Sequence, residues 1–379
     1  MPAAEVSLMA GDDHRVFLAL LRQLPGLGPR RVARLVEQFG SAHEAWRRFG
    51  PPWLAVPGIG PQDLALWRPL REKQDPDQFR RALGRLGLML LVPGDEGYPQ
   101  ELSVMPSPPP VLFAAGALGY LARPMVTIVG TRRSTPYGRQ VASRMALDLS
   151  RAGVTVVSGL AVGIDGAAHR GALSGDGGTV AVLPCGLDVP YPASHISLAR
   201  RIRQRGALLS EYGPGVAVDV GRLRARNRLM AALGQVVVVV EAGLKSGTMI
   251  TVRYALAYGR TVAAVPGPAG VSSSQGCNNL IREGAHLVED AGDVLTLLGM
   301  AKPHAPQPEV SLTPEERLLY ALLDAGPADY EQLSARSGLP AGRIGAALMR
   351  LELRGLAHCV GNGLFVRAAP QEEPRLHKE

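Results

Sequence analysis

The stretch Val126-Thr127-Ile128-Val129-Gly130-Thr131-Arg132-Arg133-Ser134-Thr135-Pro136-Tyr137-Gly138 decides the fold of this chain. β-branched residues dominate its first four positions, which predicts a short buried strand over 126–129. Gly130 permits a sharp turn, and Pro136 introduces a helix that we expect to run from about Tyr137 to Arg151. This pattern is the first βα unit of a doubly wound sheet, in which ligands lie at the carboxyl ends of the strands.

The turn after this strand contains two adjacent arginines, Arg132 and Arg133. A dinucleotide-binding turn needs small residues that let the pyrophosphate approach, and the G-x-G-x-x-G spacing is absent. The turn is therefore expected to hold a phosphate-rich ligand through guanidinium groups rather than through bare backbone.

Strand and helix patterns alternate from Met125 onward, which predicts an α/β core with a Rossmann-like, mainly parallel sheet and right-handed crossovers. The predicted strands are Val126–Val129, Val154–Val157, Thr179–Leu183, Ala207–Leu209, Val236–Val240 and Thr261–Val265. The five consecutive valines of one strand are apolar on both faces, so this strand belongs in the interior of the sheet.

The regions on either side of the core have different patterns. Pro25, Gly26 and Gly28 recur as Pro57, Gly58 and Gly60, which predicts two helix-hairpin-helix units in a helical, SAM-like domain over 1–80. The first unit contains three arginines and the second contains Gln62 and Asp63, so only the first looks competent to contact a DNA phosphate; the arginines are Arg30, Arg31 and Arg34. The alternative is that both hairpins serve packing alone.

The C-terminal region reads as three helices and a hairpin, a winged-helix pattern, over 312–368. It follows a linker over 300–311 that separates it from the core, predicted over 81–299, and it precedes a polar tail over 369–379 that we expect to be disordered. Its third helix contains Arg343, Arg350 and Arg354. These arginines suit contact with double-stranded DNA, but winged helices also bind proteins, and both alternatives stay open.

Composition narrows the class of protein. A net charge of +8, supplied almost entirely by arginine, favours an anionic polymer as partner; a solvated surface in an arginine-rich proteome is the alternative. Three widely spaced cysteines match no metal-ligand spacing and suggest a reducing compartment. No signal peptide or membrane span is predicted, so we expect a cytoplasmic protein that binds no membrane. We also expect no metal and no cofactor.

Further candidate site residues follow the other strands. Ser158 and Gly159 end the second strand, at the same sheet edge as Gly130 and Thr131, and are expected to add a hydroxyl and open N–H groups to one groove. Asp165 and His169 lie four residues apart, which fits an acid–base dyad; the alternative is that Asp165 caps or complements a helix N-terminus while His169 hydrogen-bonds nearby.

Two more basic segments are expected near the same edge. Four arginines occur between Arg222 and Arg228, and Arg226, Asn227 and Arg228 combine charge with planar hydrogen bonding suited to phosphates; a structural ion-pair network is the rival interpretation. Lys245, Ser246, Gly247 and Thr248 stand at a helix start and form an anion cradle. The order of a Walker A loop is missing, so ATP hydrolysis is not predicted.

These motifs together resemble the DNA-processing protein A family, DprA or Smf. The resemblance covers roughly Leu88 to Leu298 and depends on the ordered set Val129–Arg133, Ser158–Asp165, Arg226–Arg228, Ser246–Thr248, and Pro266-Gly267 with Gly276–Ile281. It implies a dimerising core that binds single-stranded DNA with little sequence preference, protects incoming DNA and loads the RecA recombinase in natural transformation. It also implies that Gly130, Thr131 and Arg132 contact the phosphate backbone.

The sequence departs from the family pattern at one loop. Tyr191-Pro192 is followed by Ala193, Ser194 and His195, where relatives often have a lysine and then an asparagine. A backbone contact is either lost here or supplied by Arg200 or Arg201.

The competing class is an enzyme. The core also resembles nucleotide phosphoribohydrolases, whose P-G-G-x-G-T-x-x-E loop supplies a carboxylate at its last position. Thr251 occupies that position here, which leaves no general acid or base at the expected distance and favours a binding protein with no catalytic residues.

Overall fold

The computed structural model describes residues 3–301, 312–324, 326–353, 356–360 and 363–367. The chain forms two compact units, Met1–Pro303 and His304–Glu379. The boundary predicted at residue 80 lies inside the first unit, and most of the predicted linker and the whole predicted tail lie outside the described residues.

The first unit begins with five helices, which are α1 (Ala3–Gln23), α2 (Pro29–Phe39), α3 (Ala42–Arg47), α4 (Pro61–Glu72) and α5 (Pro76–Leu86). They enclose Trp53 and Trp67, both fully buried. The two predicted hairpins pack against each other, since Arg31 pairs with Asp63 at 3.4 Å and Arg34 donates to the Pro57 carbonyl at 2.9 Å. Two of the three arginines proposed for DNA contact therefore hold the second repeat.

Within residues 3–301, one nine-stranded sheet follows these helices. Its strands are β1 (Met89–Leu91), β2 (Leu112–Gly116), β3 (Met125–Val129), β4 (Thr155–Ser158), β5 (Thr179–Leu183), β6 (Gly206–Ser210), β7 (Val236–Val239), β8 (Thr261–Ala264) and β9 (His286–Leu287). The six strands predicted from Val126 onward are confirmed within one residue at each end. Of the other three strands, β1 lies within Leu86–Val92, a segment whose sequence is compatible with a strand, while β2 and the two-residue β9 were not predicted.

The strand order is β1-β2-β6-β5-β4-β3-β7-β8-β9, parallel from β6 to β9 and antiparallel at β1 and β2. This confirms the mainly parallel α/β core. From β3 the chain proceeds to β4, β5 and β6 on one side, then crosses back to place β7 on the other side of β3. The order therefore reverses between β3 and β7, which makes their carboxyl ends the expected ligand position in such a sheet.

Helices cover both faces of the sheet. They are α6 (Pro136–Arg151), α7 (Ile164–Ala172), α8 (Ile196–Gln204), α9 (Val220–Leu233), α10 (Thr248–Ala257), α11 (Gln275–Arg282) and α12 (Ala291–Leu297). One apolar cluster joins the sheet to α9, α10 and α11, and another joins it to α6, α7 and α12. The valine strand β7 is buried between β3 and β8, as its sequence predicts.

The second unit contains α13 (Pro314–Asp324), α14 (Tyr330–Ser337), α15 (Ala341–Leu353) and an antiparallel hairpin of β10 (Ala357–Cys359) and β11 (Phe365–Arg367). This is the predicted winged helix. Arg343 pairs with Glu315 at 3.0 Å and Arg350 with Glu316 at 2.5 Å, while Arg354 lies outside the described residues. In the part of the chain that is described, no helix combines the length and apolarity needed to cross a bilayer, and no cluster of His, Cys, Asp or Glu has a metal-binding arrangement.

Candidate nucleic-acid interface

A groove of about 970 Å³ opens where the strand order reverses between β3 and β7. Its lining comes from the turn after β3, one face of α9, the loop between β7 and α10, and α10 itself, with Ala161 and Asp165 near the start of α7. The predicted site residues that line it are Gly130, Thr131, Arg132, Arg133, Arg226, Asn227, Lys245, Ser246, Gly247 and Thr248. The fold thus brings together residues that are spread over more than one hundred positions of the sequence.

The turn after β3 is fixed by the main chain. The Thr131 N–H donates to the Glu241 carbonyl at 2.7 Å, and a Cβ at position 130 would lie 2.5 Å from the Ile164 Cγ1, so only glycine fits this approach. The Arg132 and Arg133 side chains that follow are exposed. Neither guanidinium has a hydrogen bond or ion pair to any described residue, so both are available to an anion.

In the loop after β7, the Lys245 ammonium group is open to a ligand, whereas most of the other polar groups form hydrogen bonds within the loop and the start of α10. The Ser246 hydroxyl donates to the Thr248 hydroxyl at 3.0 Å and accepts from the Thr248 N–H at 3.2 Å. The Ile250 N–H donates to the Gly247 carbonyl at 3.1 Å. Lys245 is exposed and has no partner among the described residues, so its ammonium group is the main element of the predicted cradle that remains open to a ligand.

Arg226 lines the groove but its guanidinium is not open to a ligand. The side chain is 4% exposed, and Nη1 donates to the Gly159 carbonyl at 2.6 Å and to the Val182 carbonyl. Burial lowers the pKa of this guanidinium. The expectation that Arg226 offers a free charge to a ligand is therefore wrong. Its Nη1 group donates instead to main-chain carbonyls at the ends of β4 and β5.

Arg228 does not line the groove. Its guanidinium forms an ion pair with Glu211, whose residue exposure is 2%, and donates to the Ser107 carbonyl at 3.0 Å. A helix turns about 100° per residue, so Arg228 faces a different side of α9 from its neighbour Asn227, which does line the groove. For Arg228 the rival interpretation, a structural ion pair, is the one the structure supports.

Ser158 and Gly159 also lie outside the groove lining. The Ser158 hydroxyl donates to the Ile128 carbonyl at 2.6 Å, and the Gly159 N–H donates to Asp165 Oδ2 at 3.2 Å. The predicted hydroxyl and open N–H group are therefore used inside the fold, where they join the ends of β3 and β4 to the start of α7.

Asp165 and His169 do not bond to each other. Asp165 accepts from the Gly159 and Ala161 N–H groups, and His169 Nε2 accepts from the Leu160 N–H at 3.2 Å. Because Nε2 accepts, the imidazole is neutral, and Nδ1 carries the proton that it donates to the Thr179 hydroxyl at 2.8 Å. Burial lowers the pKa of His169 to about 3. Both side chains hold the loop after β4, and the dyad is not formed. His169 hydrogen-bonds nearby and Asp165 lies in the first turn of α7, as the alternative expects, but Asp165 does not cap the helix.

The divergent loop at Ala193 has a related role. His195 Nδ1 bonds to the Leu160 carbonyl at 2.9 Å, so His169 and His195 fix the two sides of one residue that adopts a positive φ of 57°. Arg200 and Arg201 are exposed on α8 and do not line the groove. Neither arginine replaces a contact at this groove.

Two cationic groove residues were not among the predicted site residues, Arg224 and Arg253. Both are exposed, and neither has a hydrogen bond or ion pair to a described residue. Helical spacing was the available signal: Val220, Leu223, Arg224 and Asn227 recur at i, i+3, i+4 and i+7 and share one face of α9. On α10, Arg253 lies four residues after Met249, which also lines the groove.

Comparison with known proteins identifies the family. Residues 89–299, more than half of the chain, match the family model described as DNA recombination-mediator protein A. The chain belongs to this family, DprA. Residues 303–363 also match the DprA winged helix domain.

Three proteins illustrate the relationship. A putative DNA processing protein DprA of Mycobacterium tuberculosis is 46% identical over 260 residues, which cover 66% of this chain and 67% of that protein. The X-ray structure of DprA from Streptococcus pneumoniae superposes with a TM-score of 0.66 at 33% identity, covering 74% of this chain and 97% of that one. DprA from Helicobacter pylori, whose structure is described as giving insight into a single-stranded DNA binding mode, has a TM-score of 0.51 at 34% identity and covers 56% and 95%.

Proposed function

We propose that this protein binds single-stranded DNA in the groove between β3 and β7, with little preference for sequence. One observation carries the proposal: five cationic side chains line the groove without any ion pair to a described residue, namely Arg132, Arg133, Arg224, Lys245 and Arg253. Phosphates of a polymer neutralise such a set, and the released counterions supply the driving force.

The lining also explains the expected lack of sequence preference. No aromatic side chain lines the described part of the groove, so bases have no stacking platform there. Asn227 is the one groove residue with a planar amide, and it can serve either a phosphate or a base edge. Electrostatic contact with the backbone dominates, and such contact carries no sequence information by itself.

The groove supports binding rather than catalysis. Thr251, at the position of the hydrolase carboxylate, is 1% exposed. Asp165 is the one carboxylate among the described groove residues, and it accepts from two main-chain N–H groups. A general acid or base must reach the proton that it transfers, and no groove carboxylate is free to do so.

The wider role follows from family membership. We propose that the protein acts as a homodimer that protects incoming single strands and loads the RecA recombinase in natural transformation. The single-stranded DNA binding described for the Helicobacter pylori relative supports the first step. The winged helix is proposed to contact double-stranded DNA or a protein partner, although its two described third-helix arginines pair with carboxylates of α13.

Replacing Arg132 tests the proposal, since this side chain makes no contact that the fold needs. Arg132→Ala is expected to weaken binding of unrelated oligonucleotides about equally and to reduce the log–log salt slope by about 0.7 per lost phosphate contact. Fluorescence anisotropy over a salt series measures both quantities. Arg85→Ala, an exposed arginine on α5 outside the groove, is the control, and equal affinity and slope for the two variants would contradict the assignment.

The enzymatic alternative has its own test. Incubation of the full chain with nucleoside monophosphates, followed by chromatography, is expected to release no free base. Base release that co-purifies with the protein through successive columns would instead assign a hydrolase.

A further inference from the structure

A second cavity, of about 650 Å³, lies between the first hairpin and the helices α9 and α10 that pack on the sheet. We call it the hairpin cleft. Its hairpin wall is formed by Gly26, Gly28, Pro29 and Arg30, and a second part of its lining by Tyr254 of α10 and Tyr258, the residue that follows α10. The helical repeats and the sheet belong to one compact unit, so both sides of the cleft lie within that unit.

The cleft and the groove lie on different sides of two shared helices. On α9, Arg224 lines the groove while the next residue, Ala225, lines the cleft. On α10, Arg253 lines the groove while Tyr254 lines the cleft. A strand bound at Arg224 and Arg253 would have to cross the packed pair α9 and α10 to enter the hairpin cleft.

The cleft is cationic. Arg30 is exposed and has no partner among the described residues, in contrast to Arg31 and Arg34, which hold the second repeat. In the wall, the single carboxylate of Glu211 pairs with Arg228 and attracts Arg22, so two guanidiniums share one negative charge. The Nε of Arg22 is buried without a hydrogen-bond partner. The wall and rim together thus hold excess positive charge.

The cleft also has the aromatic surface that the groove lacks. The Tyr254 and Tyr258 rings are nearly parallel, with an interplanar angle of 23° and centroids 5.9 Å apart. Both are half-buried, which leaves part of each ring open to the cleft. Aromatic rings beside a basic rim are the combination that holds unpaired bases and their backbone, since stacking on an aromatic ring is tolerant of sequence.

We propose that the hairpin cleft is a second subsite for the same single strand, in which bases stack on Tyr254 and Tyr258 and a phosphate contacts Arg30. This proposal rests on the proposed function of the groove and extends it. It gives the first hairpin a direct role in strand binding, whereas the second hairpin serves packing.

The test compares short and long strands on the full-length protein. Fluorescence anisotropy is measured with labelled oligothymidylates of about 6 and about 30 nucleotides, the short one sized for a single groove. Arg30→Ala is expected to weaken the long strand about fivefold at about 0.1 M salt, the effect of losing one phosphate contact, and to leave the short strand unchanged. Arg68→Ala, an exposed arginine of α4 that lines neither cavity, is the matched control.

A second variant tests the stacking. Tyr258→Leu keeps an apolar side chain at the position. It is expected to weaken binding of the long strand and to reduce the quenching of a 2-aminopurine base placed at successive positions along that strand. If this variant does not fold, Arg30→Ala decides the question.

The outcomes separate the two proposals. Loss of both strand lengths in Arg132→Ala, together with identical behaviour of Arg30→Ala and Arg68→Ala at both lengths, would overturn the cleft and retain the groove. Unchanged binding in Arg132→Ala would overturn the groove itself.

Discussion

Arg226 Nη1 lies 2.6 Å from the Gly159 carbonyl oxygen and donates a hydrogen bond to it. The same nitrogen donates to the Val182 carbonyl, so one guanidinium joins the ends of β4 and β5 to α9. An arginine that the sequence offers as a ligand-binding group therefore has a structural role, and its charge is next to that of Asp165.

Arg226→Met should act on stability. The substitution leaves two buried carbonyls without a donor and removes the cation beside Asp165, and each unsatisfied buried group costs about 1–3 kcal/mol. We expect the free energy of unfolding to fall by about 3 kcal/mol in urea titrations followed by tryptophan fluorescence. All three tryptophans precede residue 303, so they report the first unit alone. A loss of DNA affinity at unchanged stability would contradict this role.

Arg228→Ala should also destabilise the first unit, by about 3 kcal/mol, because the buried Glu211 would lose its ion pair and keep only the attraction of Arg22. Arg224→Ala, four residues earlier on the same helix and exposed, is the control and should change stability by less than about 0.5 kcal/mol. The measurement is the same urea titration, and equal unfolding midpoints for the two variants would show that the Arg228 ion pair is dispensable.

Arg253→Ala should weaken single-strand binding about fivefold at about 0.1 M salt and lower the salt slope by about 0.7, because this side chain is expected to contact one phosphate. Its thermal unfolding should match that of the parent protein, since no described residue bonds to it. Arg85→Ala serves again as the control. Affinity equal to that control would remove Arg253 from the interface.

His169 should make stability depend on pH. Burial holds its pKa at about 3 in the folded protein, against about 6.5 when unfolded. Only the unfolded chain binds this proton between those values, so the stability that neutral His169 provides is complete above pH 6.5 and is lost as the pH falls. Its contribution is about 1.4 kcal/mol per pH unit. Urea titrations between about pH 7 and pH 5 should show a shallower dependence in His169→Gln, and identical slopes would contradict the assignment.

Removal of all residues after Met300 should leave single-strand binding largely intact, because every groove residue lies between residues 129 and 253 of the first unit. Double-strand binding, measured by gel shift, should fall if the winged helix contacts duplex DNA. Equal loss of both activities would show that the C-terminal unit contributes to the single-strand site.

The sequence by itself determined the core of the sheet and the family. Runs of β-branched residues such as Val236–Val240 predict buried strands because local propensity and burial agree there, and six predicted strands match the structure within one residue at each end. The turn at Gly130 was equally clear, since a glycine between a buried strand and a helix start has few alternatives. The short edge strand β9 escaped prediction because two exposed residues show no periodicity.

Only the tertiary structure decided which cations remain free. Arginines that look alike in the sequence have opposite roles. The guanidiniums of Arg226 and Arg228 bond inside the fold, while those of Arg224 and Arg253 line the groove without a partner among the described residues. The local sequence cannot distinguish these arginines, because the groups that bond their guanidiniums, such as the Gly159 carbonyl and Glu211, belong to other segments of the chain. Charge is a property of the residue, but its availability to DNA depends on what the fold places beside it.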